Sequence, residues 1–357
     1  VYDNSIKLYE GYLLEEKGVG DSSIIPNKFY ESKPYRKLLH LFNPHSWMPL
    51  YLNADNIEVK PGISLMSQNL LSNTFATVGY EWDKNIREGL YHADISYKGL
   101  YPIFNFSYLK GKQAGIYQEQ KYTYDISKIK TSVSVPFAFI YNQYIRGCRF
   151  DISTNYYNIT HNESTPDILM HGKSQTMEYR IFVYNQIKSV ERDMRPRWGQ
   201  RIEINYFHSP FHKNNFGILK SVEASFFFPG FFRHHSFQLY VGIQNKQKSD
   251  FYFGDVVSYP KGYTYTISDD LYSISNNYML PLVYPDKNLG SLLYIKKVQA
   301  NLFIDYAYGK YNLSEITYLS YGLDLLTQVH LFRFSIPFYI GLRTSYMPNE
   351  KEIAYEM

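Results

Sequence analysis

The chain has 357 residues, a formal net charge of +4, a single cysteine and an aromatic share of 18%, most of it from 38 Tyr and 24 Phe. So small a charge, with basic residues scattered rather than striped, speaks against a nucleic-acid-binding surface, and the lone Cys148 excludes an internal disulfide framework. The longest apolar runs, "PFAFIY" and "FFFPGFF", fall far short of the roughly 18–20 residues of a membrane-spanning helix, so a membrane crossing must be made by a closed barrel.

The first 57 residues carry mixed charges, prolines and only a short helical pattern at "YRKLLHLF". They are too short for a second sizeable domain and predict a periplasmic linker or plug segment. Trp47, in "HLFNPHSWMP", is an expected anchor at the barrel mouth. The opening "VYDNSIKLYEG" carries no signal peptide, as expected of a mature product or a piece of a longer protein.

From residue 58 onward the governing pattern is alternation with period two. In "NTFATVGYEWD", Ala76, Val78, Tyr80 and Trp82 share one face and Thr77, Gly79, Glu81 and Asp83 the other. "KIKTSVSVPF" sets Ile129, Val133 and Val135 against Lys128, Lys130, Ser132 and Ser134. "RFDISTNYY", "MEYRIFVY", "RIEINYF", "KSVEASFFF" and "HSFQLYVGIQ" continue it. Toward the end, "VQANLFIDYAYG" separates Leu302, Ile304 and Tyr306 from Asn301, Asp305 and Gly309, and "YLSYGLDLLTQV" and "FSIPFYIGLRTSY" follow.

About fifteen such segments run from residue 59 to the end, and a sixteenth is expected in "AGIYQEQKYTYD". A spanning strand needs about 9–11 residues, so sixteen strands fit residues 58–357. A soluble β domain would alternate too. The long strands, the lack of a four-strand repeat and the polar faces mixing charge with Gly and Ser favour an all-β, transmembrane antiparallel β-barrel. Tyr and Trp near strand ends suit an interfacial girdle, with outer-membrane lipid as the partner.

One stretch stands apart. "VVSYPKGYTYT", residues 256–266, sits in a long polar connection five strands before the end. Here the sequence resembles the outer-membrane assembly and transport barrels, the bacterial surface antigen superfamily of BamA, TamA and the two-partner-secretion transporters. That superfamily carries Val/Ile-Arg-Gly-Phe/Tyr at the tip of its sixth extracellular loop, which folds into the lumen and meets an acidic residue on the inner wall. The matching residues are Tyr259, Pro260, Lys261, Gly262 and Tyr263. Asp305, on an inward face and followed by Gly309, is the implied partner, so that Lys261 would pin the loop against it. Lys in place of Arg makes the pairing less directional, and "SYPKGY" also fits a plain Pro-Gly surface turn.

The resemblance implies insertion or translocation of polypeptides at the outer membrane of a Gram-negative cell, without cofactor or catalytic residue. It also implies help from other outer-membrane or periplasmic proteins. Its seam would lie between the first strand, "PGISLMSQNLL", and the last, "EIAYEM". A passive solute pore and a structural membrane anchor of a larger complex remain as alternatives. Arg201, Glu203, Glu223, Asp324 and Arg343 read as a mixed-charge lumen lining rather than acid–base pairs. His234-His235 and the His208/His212 pair read as turn or lumen histidines, not metal ligands.

Overall fold

The computed structural model describes residues 40–357, apart from 54–57, 84–86, 118–119, 164, 167–169, 191, 212–213, 264–267, 291, 313, 332–336 and 357. The chain divides after His40, and residues 1–39 lie outside the described residues.

From Leu41 onward the fold is one antiparallel sheet of seventeen strands. Its first half comprises β1 (Pro44–Asn53), β2 (Glu58–Gln68), β3 (Thr74–Asp83), β4 (Glu88–Tyr97), β5 (Ile103–Tyr117), β6 (Gln120–Tyr141), β7 (Tyr144–His161) and β8 (Gly172–Ile187). The second half is β9 (Gly199–His208), β10 (Ile218–Pro229), β11 (Ser236–Gln247), β12 (Asp270–Val283), β13 (Lys287–Leu289), β14 (Leu293–Tyr311), β15 (Ser314–Leu331), β16 (Phe338–Met347) and β17 (Glu352–Glu356). Each strand pairs with its sequence neighbour, except that β12 pairs with β14 directly and the three-residue β13 extends that ladder. This is the up-and-down order of a transmembrane barrel, in which every ladder joins adjacent strands.

The alternation decides which way each strand faces. On β14, Leu302, Ile304 and Tyr306 are exposed on the outside, while Asn301, Phe303, Asp305 and Ala307 are buried on the inside. The same division puts Val78 and Trp82 of β3 outside, and Ile202 and Ile204 of β9. Outward aliphatic and aromatic side chains meet lipid, while inward polar ones hydrogen-bond one another across the wall.

The strand count is reached differently from the sequence expectation. "AGIYQEQKYTYD" is not a separate strand: it is the tip of the β5–β6 hairpin, whose ladder runs to Tyr117↔Gln120. With β13 taken as part of the β12 ladder, sixteen strands remain, the five-residue β17 among them, and the sixteenth is β1. That strand lies within the stretch assigned from sequence to a linker or plug, so the sheet begins ahead of residue 58. "PGISLMSQNLL" accordingly belongs to the second strand, not the first. Two prolines and an irregular register hid β1: its ladder with β2 shifts at Pro44/Ser46 and again at Met48/Leu50. Trp47 stands exposed on β1 opposite Leu65. Among the described residues, no ladder joins β17 to β1.

Candidate functional site

The connection between β11 and β12, residues 248–269, is the sixth of those on its end of the sheet, and it folds against β9, β11, β12, β14, β15 and β16. Its fastening begins where it leaves β11. The Gln244 side chain accepts the amides of Val256 (2.8 Å) and Val257 (3.3 Å) and donates to Asp255 at 2.5 Å. Lys246, buried on the same strand, pairs with Asp255 at 2.6 Å. The Ser258 amide donates to the Tyr240 hydroxyl at 3.1 Å, and that hydroxyl donates to Glu223 at 2.6 Å. These bonds satisfy loop backbone that would otherwise be stranded inside the wall.

The next turn of the loop is apolar beneath and charged at its tip. Val257 packs with Leu271, Ala307 and Tyr318, and Tyr259 and Tyr263 lie against that group. Tyr263 meets the Tyr318 ring edge-on with 5.0 Å between centroids, and its hydroxyl donates to the Leu319 carbonyl at 3.1 Å. Pro260 is fully buried. Gly262 adopts φ +95°, and a Cβ there would come within 2.9 Å of Ser345 Cβ, so position 262 needs glycine for both conformation and space. Gly309 admits the other limb of the loop, since a Cβ there would meet the Ser268 hydroxyl at 2.5 Å.

Lys261 and Asp305 come together at the tip. The Lys261 amide donates to Asp305 Oδ2 at 3.1 Å, and Lys261 Nζ reaches Oδ2 at 3.1 Å and Oδ1 at 3.3 Å. Ser275 donates to Asp305 Oδ1 at 2.5 Å, and Lys261 Nζ also lies 4.3 Å from the centroid of the Phe303 ring. A carboxylate with only 3% of its side chain exposed thus has an ammonium, an amide and a hydroxyl as donors, which is what burying it demands.

From this pair a polar row runs sideways through the wall. Lys261 Nζ donates to Asn277 Oδ1 at 3.0 Å, and Asn301 Nδ2 donates to that oxygen and to Asp324, both at 3.0 Å. Arg343 then bridges Asp324 (2.7 Å) and Glu356 (2.8 Å). Asn301, Asp324, Arg343 and Glu356 are directly opposite one another on β14, β15, β16 and β17, so one cross-strand row links the loop tip to the last strand.

The remaining charges named from sequence lie elsewhere. Glu203 pairs with Arg180 at 3.0 Å, and Arg201 donates to Gln186 and sits 5.1 Å from the Phe227 ring centroid. Neither joins the row at Asp324 and Arg343. Sequence reasoning missed Gln244, Lys246, Asp255, Asn277 and Glu356; the inward face of "HSFQLYVGIQNKQ" was the one signal for the first two. His234 binds Asp193, His235 binds Tyr278, and His208 stacks on Tyr179, while His212 lies outside the described residues. No group of three or more ligating side chains that could hold a metal occurs among the described residues.

Comparison with known proteins gives the fold a relative. CdiB from Escherichia coli matches with a TM-score of 0.54 at 10% identity, over 83% of this chain and 58% of its own. CdiB from Acinetobacter baumannii matches at 0.51 and 14%, over 82% of this chain and 54% of its own. This chain shares the CdiB barrel fold. BamA from Haemophilus ducreyi lacking POTRA domains 1–3 also matches, at 0.48 and 11%, over 81% of this chain and 63% of its own. The chain spans a little over half the length of the CdiB proteins it matches. No protein-family model and no curated relative matches the sequence. Within this CdiB-like fold, the opposite wall of the sheet, from β3 to β8, borders a cavity of about 950 Å³, lined among others by Asp94, Lys128, Lys130, Arg149 and Glu178.

Proposed function

We propose that this barrel resides in a bacterial outer membrane and there inserts or translocates polypeptides. The observation that carries the proposal is the loop folded into the lumen and held at Lys261 and Asp305, in the sixth connection of a CdiB-like sheet. The mechanism needs no cofactor and no catalytic group. The loop tip and the last strand share one hydrogen-bonded row, so a client that displaces the loop also removes support from β17. Loss of that support would loosen the seam at which a client strand pairs. Periplasmic or outer-membrane proteins would deliver the client.

A passive solute pore is favoured by one observation only, the charged cavity beside β3 to β8. Photo-crosslinking separates the two. A crosslinker placed at Tyr355 on β17, in the native host, should trap a polypeptide other than the barrel itself. Capture of nothing but lipid and barrel, together with steady conductance of small ions, would remove the proposal in favour of the pore.

A further inference from the structure

The outward face of the barrel does not end at its strands. On β9, β10 and β12 the lipid-facing side chains Ile202, Ile204, Val222, Phe228 and Leu282 are exposed. That apolar band continues into the connections at the end opposite the lumen loop, where Phe231 is 89% exposed and Phe232 73%. The β10–β11 connection carrying them is held firmly. The Phe231 amide donates to the Tyr278 hydroxyl at 3.2 Å, and His235 Nδ1 lies 2.9 Å from the same hydroxyl.

Beside these rings the β8–β9 connection is basic. Residues 188–198 hold Lys188, Arg192, Arg195 and Arg197 against Glu191, which lies outside the described residues, and Asp193. Asp193 is consumed internally: its side chain is 5% exposed, with His234 at 2.8 Å, the Val190 amide at 3.2 Å and Arg197 at 3.5 Å. Lys188, Arg195 and Arg233 are exposed and make no ion pair with the described residues. Arg192 is braced by its own carbonyl, which accepts the Tyr284 hydroxyl at 2.9 Å, and by the Tyr284 ring, 5.7 Å from its guanidinium. Three connections, the described residues of 188–198 with 230–235 and 284–286, therefore form one braced surface with two projecting phenyl rings, cations without ion-pair partners around them and one exposed carboxylate, Asp286, which accepts the Tyr294 hydroxyl.

We infer that this surface is an interfacial site for anionic phospholipid, with Phe231 and Phe232 among the acyl chains and Arg192 and Arg233 at the headgroup phosphates. The inference rests on the proposed membrane location. Continuity with the lipid-facing band favours lipid over a protein partner, which would have no need of it. The excess of cations favours an anionic headgroup, toward which each basic side chain contributes about a fivefold preference.

The test uses the full chain in nonionic detergent, mixed with equal amounts of phosphatidylglycerol and phosphatidylcholine, with bound lipid counted by native mass spectrometry. The wild type should retain phosphatidylglycerol at least about fivefold over phosphatidylcholine. The R192Q/R233Q double variant should lose that preference, and F231S/F232S should retain less of both lipids. Heat-modifiable mobility checks that each variant is folded, and K188Q/R233Q replaces the first variant if it is not. Equal retention of the two lipids by the wild type, or a preference unchanged in the charge variant, would overturn the site. So would a protein that co-purifies through these arginines while lipid retention is unaltered. A chain that fails to insert into lipid bilayers at all defeats the membrane location itself, a separate result.

Discussion

At Lys261 the backbone amide and the side-chain ammonium reach the same carboxylate, so the tip of the loop is fixed in both position and direction. Asp305→Ala leaves that ammonium part-buried with no carboxylate, and breaking one partner of such a pair costs about 3–5 kcal/mol. The variant should unfold at lower temperature by heat-modifiable mobility, and an unchanged midpoint would mean that the pair carries little of the loop's attachment. Gly262→Ala forces a side chain into φ +95° and against Ser345, and should cost at least about 1–2 kcal/mol in the same assay. In the sequence, Asp305 could be read from its inward facing together with the resemblance, and Gly262 from the short motif alone. Gln244 and Asp255 could not, since their bonds depend on how a long connection folds back on the strand it leaves. Nor could the row from Asn301 to Glu356, which requires the register of four strands, and alternation gives facing without register.

Among the elements, the strands were legible wherever the alternation was regular. β14 shows it: the division of Ile304 from Asp305 in sequence is the division of lipid from lumen in the structure. Ile304→Arg should therefore cost about 2–4 kcal/mol if the residue lies near the bilayer midplane, measured by urea unfolding in lipid vesicles. A cost near zero would put Ile304 away from the hydrocarbon. β1 was illegible because Pro44 and Pro49 break the pattern and the ladder slips twice.

The β8–β9 connection has its own pH signature. Burial opposes ionisation of Asp193, but the hydrogen bonds from His234 and the Val190 amide and the charge of Arg197 outweigh it, so its carboxyl sits below the ordinary value. A group depressed in this way stabilises the fold above its unfolded value, about 3.9, and the contribution is lost as pH falls through the folded value. Wild type should exceed Asp193→Asn in stability at pH 7, and the two should converge as pH falls through the depressed folded value. A gap that persists below it would assign the stabilisation to packing rather than to charge.

For the molecule as a whole, loop and last strand belong to one polar network while the β3–β8 wall keeps its cavity. The loop thus fills one side of the lumen and a cavity borders the other. The architecture as a barrel was evident from composition and alternation. The sharing of one network by loop and last strand was not, because it exists only once the strands are in register.

The most direct measurement of the central claim is single-channel conductance of the purified chain in a planar bilayer, wild type against Lys261→Ala. A loop pinned in the lumen predicts a quiet wild type and a variant that opens to sustained conductance. A wild type that already conducts steadily, unaltered by the substitution, would contradict it and leave a passive pore.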